Sequence, residues 1–185
     1  MTAGPGAPGS GGGEPGARPS EGAPVPLPPL GVPPRGTSLV LRGRELDRPA
    51  VMAIVNRTDD SFYAGARQLD DRQALAAVER AVREGAEILD VGGVRAGVGP
   101  EVTPAEEIRR VVPFVARVRS EFPELLVSVD TWRADVAHEA ALAGADLVND
   151  TWAGHDPRLV EVAGQHGIGV VCSHTGGARP RTGSV

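Results

Sequence analysis

Lysine is absent from this 185-residue chain, and all nineteen basic residues are arginine. Chemistry that needs an ε-amine is therefore excluded, whether the phosphate-binding lysine of a P-loop or a Schiff-base lysine. Cysteine is almost absent too, and the single Cys172 rules out an internal disulfide. No apolar run approaches the ~18 residues that a membrane span needs. The N-terminal stretch lacks the basic start and apolar core of a secretory signal, so a cytoplasmic protein with no membrane partner is the expectation. Net charge is −5, pI is near 5.4 and the arginines are scattered, which argues against nucleic acid as a partner.

What is abundant is concentrated at one end. Residues 1–36 hold ten glycines and ten prolines, with only a broken apolar run of Val25, Leu27, Leu30 and Val32. Such a segment cannot bury enough surface to offset its ordering entropy, so 1–36 reads as a disordered tail. Pro24 to Pro34 favours polyproline II, and its Pro26-x-x-Pro29 pair reads as solvated linker rather than as an SH3 ligand. Residues 37–185 then form one domain of ordinary size.

Within that domain, short apolar runs alternate with amphipathic stretches. Ala50–Val55 is a run suited to a strand buried on both faces. Asp70 or Asp71 can cap a helix carrying Leu75, Val78 and Val82, closed by Gly85. Ile88–Val91 is the second run. Thr103-Pro104-Ala105-Glu106 is a capping box with proline at the first helical position, and it opens a helix with Ile108, Val111, Val112, Val115 and Val118 on one face. Pro113 should kink that helix. Strands at Leu125–Val129, Asp146–Val148 and Ile168–Cys172 follow, separated by helices at Ala134–Ala143 and Pro157–Gln165.

Strands separated throughout by helices make a parallel sheet, doubly wound or closed into a barrel. Asn56, Asp90, Asp130, the pair Asn149 and Asp150, and His174 each follow directly on one strand. A (β/α)8 barrel builds its site from the C-terminal ends of successive strands, which this pattern fits. A doubly wound sheet commonly carries a Gly-x-Gly-x-x-Gly turn after its first strand, and Asn56-Arg57-Thr58-Asp59-Asp60-Ser61 is no such cradle. The expected fold class is α/β, a (β/α)8 TIM-type barrel of which about the first five units are present.

Four motifs resemble one family. Val51–Phe62 looks like the first signature of dihydropteroate synthases, Met-Gly-Ile-Leu-Asn-Val-Thr-Pro-Asp-Ser-Phe. Gly85-Ala86-Glu87-Ile88-Leu89-Asp90-Val91-Gly92-Gly93 resembles the start of the second. Ser128-Val129-Asp130-Thr131 and Gly144–Asp150 resemble the third- and fourth-strand blocks. The resemblance implies a transferase of folate biosynthesis that joins 4-aminobenzoate to hydroxymethyl-dihydropterin pyrophosphate, with Mg2+ as cofactor and a homodimer when full length. It implies pterin-binding roles for Asp130 and Asn149, with Asp90 lining the pocket or bracing the Gly-Gly turn, and a metal- or pyrophosphate-side role for Asn56. Each residue also has a plain structural alternative: turn amides for Asn56 and Asn149, and an N-cap of the third helix for Asp130. Trp132 and Trp152 either wall a ring pocket or pack beneath the loops. His138, His155 and His166 read as surface residues.

The resemblance breaks in places. The Glu-Ser-Thr-Arg-Pro run of the second signature is replaced by Val94-Arg95-Ala96-Gly97-Val98, so Ala96 and Gly97 stand where the family has the Thr and Arg of a closing loop. Arg57 and Asp59 replace an apolar residue and a proline, and Ser173-His174-Thr175-Gly176-Gly177 stands for Met-His-Met-Gln-Gly. A non-catalytic pterin-binding relative with a degenerate loop, or an inactive fragment, is therefore the alternative. Because residues 1–36 carry no core-forming pattern, a deletion that begins the chain at Thr37 should keep the parent's yield and far-ultraviolet helical signal. A clear loss of either contradicts the reading of the tail.

Overall fold

The computed structural model describes residues 39–58, 64–97, 99–177 and 179–181, with side chains of the first helix described from residue 71 onward. The expected tail, 1–36, lies outside the described residues, as does the first-loop segment 59–63.

A hairpin comes first, β1 (Leu39–Leu41) with β2 (Arg44–Leu46), paired antiparallel with Leu41 opposite Arg44. Its two-residue turn places Arg42 and Gly43 at φ 50° and 74°. Asn-Gly or Asp-Gly is the usual signal for such a turn, so arginine here hides the hairpin from sequence reading. Five βα-type strands follow: β3 (Met52–Asn56), β4 (Ile88–Gly92), β5 (Leu126–Asp130), β6 (Leu147–Asp150) and β7 (Gly169–Cys172). Between them lie α1 (Ala64–Arg83), α2 (Pro104–Glu121), α3 (Ala134–Leu142) and α4 (Arg158–His166).

All five strands pair in parallel, in the order β3-β4-β5-β6-β7. Register decides the architecture. Val55, Val91, Val129, Val148 and Val170 are successive Cα partners and form one continuous valine row. Val55, Val91 and Val129 pack with Leu75 and Val78 of α1 and Val111, Phe114, Val115 and Val118 of α2. Val148 packs with Ala134, Ala137 and Leu159 of α3 and α4, with Val170 against that cluster. The helices thus cover the same face of a sequentially ordered sheet, as in a barrel; a doubly wound sheet carries helices on both faces. Side chains alternate faces along a strand, so residues one position before or after the valine row point to the opposite, inner face. The fold is the α/β architecture of the first five units of a (β/α)8 barrel.

The inner face is graded. At its base Ile88, Leu126 and Leu147 cluster with Leu41, and Leu46, Ala50 and Met52 pack against them. The hairpin therefore seals the bottom of the arc. Arg44 and Arg48 pin it through Glu87, with Nη2 of Arg44 2.7 Å and Nη1 of Arg48 2.9 Å from the carboxylate. Ile54 and Val171 remain exposed on the two edge strands.

Several sequence expectations hold and one moves. Thr103 is the N-cap of α2, its hydroxyl accepting from Glu106 N at 3.2 Å, with Pro104 at the first helical position. The helix runs through Pro113 to Glu121, and Pro113 sits on the exposed side. The cap expected at Asp70 or Asp71 is displaced, because α1 already begins at Ala64. Asp71 lies inside the helix and instead pairs with the Arg57 guanidinium.

One buried clamp ties the lower ends of the units together. Arg119, at the end of α2, donates to the carbonyls of Leu125 and Gly144 at 2.8 Å each and pairs with Asp146. Asp146 Oδ2 also accepts from Val127 N at 2.9 Å. Removing one member of a buried pair strands the other charge. Asp146→Ala should cost about 3–5 kcal/mol in urea unfolding, whereas Asp135→Ala, which breaks only an exposed pair with Arg158, should cost under about 1 kcal/mol. Equal effects would refute the clamp.

Candidate functional site

Above this apolar base the inner face turns polar. Asn56, Gly92, Asp130 and Asn149 are successive Cα partners across β3, β4, β5 and β6, so one register row carries an amide, a glycine, a carboxylate and an amide side by side. The row lies at the C-terminal ends of the strands, where barrels place their sites. The middle row, Ile54, Asp90, Ser128 and Leu147, lies directly below on the same face.

Glycine at 92 keeps the row open. A Cβ there would stand 3.0 Å from Asn56 Oδ1 and 3.8 Å from Asp130 Oδ2. The next residue meets a different constraint: a Cβ on Gly93 would lie 2.7 Å from Val111 Cγ2, inside contact distance of α2. The Gly-Gly pair therefore serves the site with its first member and helix packing with its second.

None of the row's functional groups is used as a cap. The N-cap of α3 is Arg133, with no side-chain cap bond, and Ala134 N donates to Asp156 Oδ2 at 3.1 Å. Thr131 Oγ1 accepts from Arg133 N at 3.2 Å. Asp130 is thus released from capping, and among the described residues its Oδ1 accepts a long 3.3 Å bond from the Thr151 hydroxyl. Asn149 donates through Nδ2 to Asp90 Oδ2 at 3.0 Å, which leaves its Oδ1 as the amide's acceptor. Asp90 is buried, as is Ser128. By contrast Asp150, on the opposite face, is absorbed by structure: its carboxylate accepts from Trp152 N at 2.9 Å and Gly154 N at 2.7 Å.

Electrostatics mark Asp130 out. Burial pushes its carboxyl up from an ordinary 3.8 to about 6, the Asp90 charge adds to the rise, and the Thr151 hydroxyl opposes it. Raised carboxyls in clefts are associated with function, although structural networks also produce them. Glu107 provides the contrast. Its carboxyl is likewise raised by burial, but it is paired with Arg133 at 2.5 Å and supports the wall. Arg133 in turn donates to Val102 O at 2.7 Å and lies over the Trp132 ring, 4.6 Å from its centroid. Trp132 and Trp152 meet edge to face at 6.3 Å, buried with Val94. The tryptophans therefore pack beneath the loops.

The expected cation-bearing features are dispersed. Arg57 donates its backbone N–H to Gly92 O and lays its guanidinium 4.8 Å above Phe114, against Asp71. Arg95, Ala96 and Gly97 are exposed, and Arg181 grips that loop through Gly97 O at 3.3 Å and Pro100 O at 2.7 Å. His174 is exposed beyond β7. Two histidines were misjudged as simple surface residues: His138 and His166 are half-buried, with Nε2 of His166 2.9 Å from Nδ1 of His138. They sit on α3 and α4, away from the row. Ser128 lies two residues before Asp130 on β5, so alternation puts it on the same inner face, where it is buried.

Asn56 Oδ1 is a hard, neutral oxygen donor at the rim of the row, the type that Mg2+ accepts. Among the described residues no group of three or more His, Cys, Asp and Glu could hold a metal ion. This donor set fits a hydrated cation carried mainly by a ligand's phosphates, which is how Mg2+ is often bound.

Comparison with known proteins places the geometry. The family described as "Pterin binding enzyme" matches residues 52–184. The chain is similar to a Mycobacterium leprae (strain TN) protein named inactive dihydropteroate synthase 2, 58% identical over 136 residues, covering 74% of this chain and 47% of that one. It is 39% identical over 130 residues to the dihydropteroate synthase of Bacillus subtilis (strain 168), covering 69% and 45%. The structure of Xanthomonas albilineans dihydropteroate synthase with 4-aminobenzoic acid superposes with a TM-score of 0.65 at 38% identity, covering 75% of this chain and 52% of that one. The chain spans about half the length of the curated relatives it matches.

The raised Asp130 carboxyl has a measurable consequence. Its proton is held more tightly in the folded than in the unfolded chain, so stability falls as pH rises from about 4 to about 6 and stays reduced above that. A rise of roughly two pKa units corresponds to about 2–3 kcal/mol. Asp130→Asn should therefore stabilise the protein at pH 7.5 by up to that amount and leave stability near pH 4 almost unchanged. Parallel pH profiles for parent and variant would show that Asp130 carries no such burden.

Proposed function

The chain belongs to the pterin-binding enzyme family, and from that premise we propose that the polar row is a pterin pocket of the dihydropteroate synthase type, better equipped to hold the ring than to transfer it. One observation carries the reading. Asp130 and Asn149 stand side by side in register, freed from capping, with the Asn149 amide turned by Asp90 so that its oxygen is the remaining acceptor. Two adjacent acceptors complement a ring edge with two adjacent N–H donors, which the amide-and-amine edge of a pterin provides. Removing either partner from such a buried contact costs about 1–3 kcal/mol.

The reaction proposed for the complete protein joins 4-aminobenzoate to hydroxymethyl-dihydropterin pyrophosphate. In it the ring methylene gains positive character while pyrophosphate departs, and the second needs cationic stabilisation. Mg2+, when bound beside Asn56, would neutralise charge on the leaving pyrophosphate. Asn56 would offer one oxygen ligand, and Gly92 leaves the space next to it clear. Asp130 and Asn149 would hold the ring. The second loop supplies less: Ala96 and Gly97 have no side-chain donor.

That loop favours a second reading, a pterin-binding protein with little or no transfer activity. The M. leprae relative bears the word inactive in its name, and at 58% identity it is more similar to this chain than the B. subtilis enzyme at 39%. Both readings share the pocket and differ in turnover alone. We further propose a cytoplasmic setting and a homodimer for the complete protein; among the described residues no helix is long and apolar enough to cross a membrane.

Binding and turnover should come apart. By calorimetry, Asp130→Ala and Asn149→Ala should weaken 6-hydroxymethylpterin binding about ten-fold or more. Unchanged affinity in both would return these side chains to a structural role. In the complete protein, Ala96→Thr combined with Gly97→Arg should raise pyrophosphate release by a factor on the order of 10²–10³, with pterin affinity nearly constant. A parent that already turns over at rates typical of enzymes would show that another group supplies the missing donors.

A further inference from the structure

In the helix layer, away from the polar row, two histidines meet. His138 lies in the middle of α3 and His166 is the last residue of α4, and Nε2 of His166 stands 2.9 Å from Nδ1 of His138. The rings cross edge to face, 4.9 Å between centroids. Both residues are half-buried, so solvent reaches the pair. The apolar packing of α3 on α4 is supplied by Ala134, Ala137 and Leu159, and the histidines lie outside that cluster. His138 also lines a groove of about 330 Å3 along the two helices, together with Asp135, Glu139, Arg158, Glu161 and Gln165. Arg158 is taken by Asp135 at 3.2 Å and by Asp156 at 2.9 Å. The carboxylates of Glu139 and Glu161 have no ion-pair partner among the described residues, so the groove carries uncompensated negative charge beside the imidazole.

We propose that His138 and His166 form a two-histidine site for a divalent transition-metal ion of the copper(II) class, which staples α3 to α4. Imidazole nitrogen is a ligand such ions favour, and Cu2+ heads the affinity order at nitrogen sites. Nitrogen ligands bind at about 2.0–2.1 Å, so two at a right angle stand about 2.9 Å apart and two at the tetrahedral angle about 3.3 Å. The 2.9 Å of the free pair is therefore already the spacing of two neighbouring ligands on a tetragonal ion. Without metal, one ring donates its proton to the other. On binding, that proton passes to the far nitrogen of its own ring, and both lone pairs turn onto the ion by rotation of the side chains. No third His, Cys, Asp or Glu completes a cluster among the described residues. Water therefore fills the remaining positions, and Glu139 and Glu161 act through their field rather than as ligands. The negative end of the α4 dipole, at His166, adds to the attraction for a cation.

The test is titration of the full chain with copper(II) sulfate at pH 7.5, followed by 15N spectra of the imidazoles and by electron paramagnetic resonance. Below one equivalent, the resonances of His138 and His166 should broaden before those of His155 and His174, and the copper signal should carry the splitting of two nitrogens. Even groups that only hydrogen-bond to metal ligands are typically worth about 10–100-fold in affinity, so loss of a ligand itself should cost at least that range's lower end. His138→Gln and His166→Gln should each weaken copper binding about ten-fold or more, and His155→Gln should bind as the parent does. Parallel broadening of all four histidines overturns the proposal, as does parental affinity in either His138→Gln or His166→Gln. The broadening experiment uses the parent alone, so it decides the matter even where a variant fails to fold.

Discussion

Parallel register is the constraint on which the rest of this structure depends. Each strand end arrives at the same height, so a single offset decides both core and site. In register, Val55, Val91, Val129, Val148 and Val170 meet the helices, and Asn56, Gly92, Asp130 and Asn149 meet one another on the other face. A slip of one residue in any strand would turn a carboxylate or amide into the helix layer and a valine into the pocket. The valine row thus holds the polar row in place: burying the first enforces the second.

The same arrangement sets stability against recognition. Asp90 and Asp130 stand close enough for one to raise the other's pKa, and neither is neutralised by an arginine of the described contacts. Arginines elsewhere are spent on structure. Arg119 clamps Asp146, Arg133 meets Glu107, and Arg44 and Arg48 secure the hairpin through Glu87. Those structural carboxylates are paired with arginine, whereas Asp90 and Asp130 accept from an amide and a hydroxyl, an asymmetry that supports the proposed site.

Much of this was legible in the chain itself. Alternating apolar runs and helix signals located five strands and four helices, and Thr103-Pro104 fixed the start of α2 because its cap chemistry is local. Asp130 and Asn149 were legible through motif resemblance, whereas their freedom from capping was not. That required seeing Asp156, distant in sequence, serve the start of α3. The hairpin escaped because Arg42 occupies a turn position that ordinarily advertises itself with Asn or Asp. The start of α1 was misplaced because Asp71 has a cap's composition and a different partner, Arg57.

The central claim is that one register row binds a pterin ring, and side-chain amide NMR addresses it atom by atom. With 15N in the asparagine side chains, the Nδ2 protons of Asn149 report on the ring pocket and on the bond to Asp90, and those of Asn56 report on the outer rim. Titration with 6-hydroxymethylpterin, which has no phosphate, should shift the Asn149 pair progressively to saturation and perturb Asn56 far less. Saturable binding that leaves the Asn149 amide untouched would contradict the claim and place the ligand elsewhere on the chain.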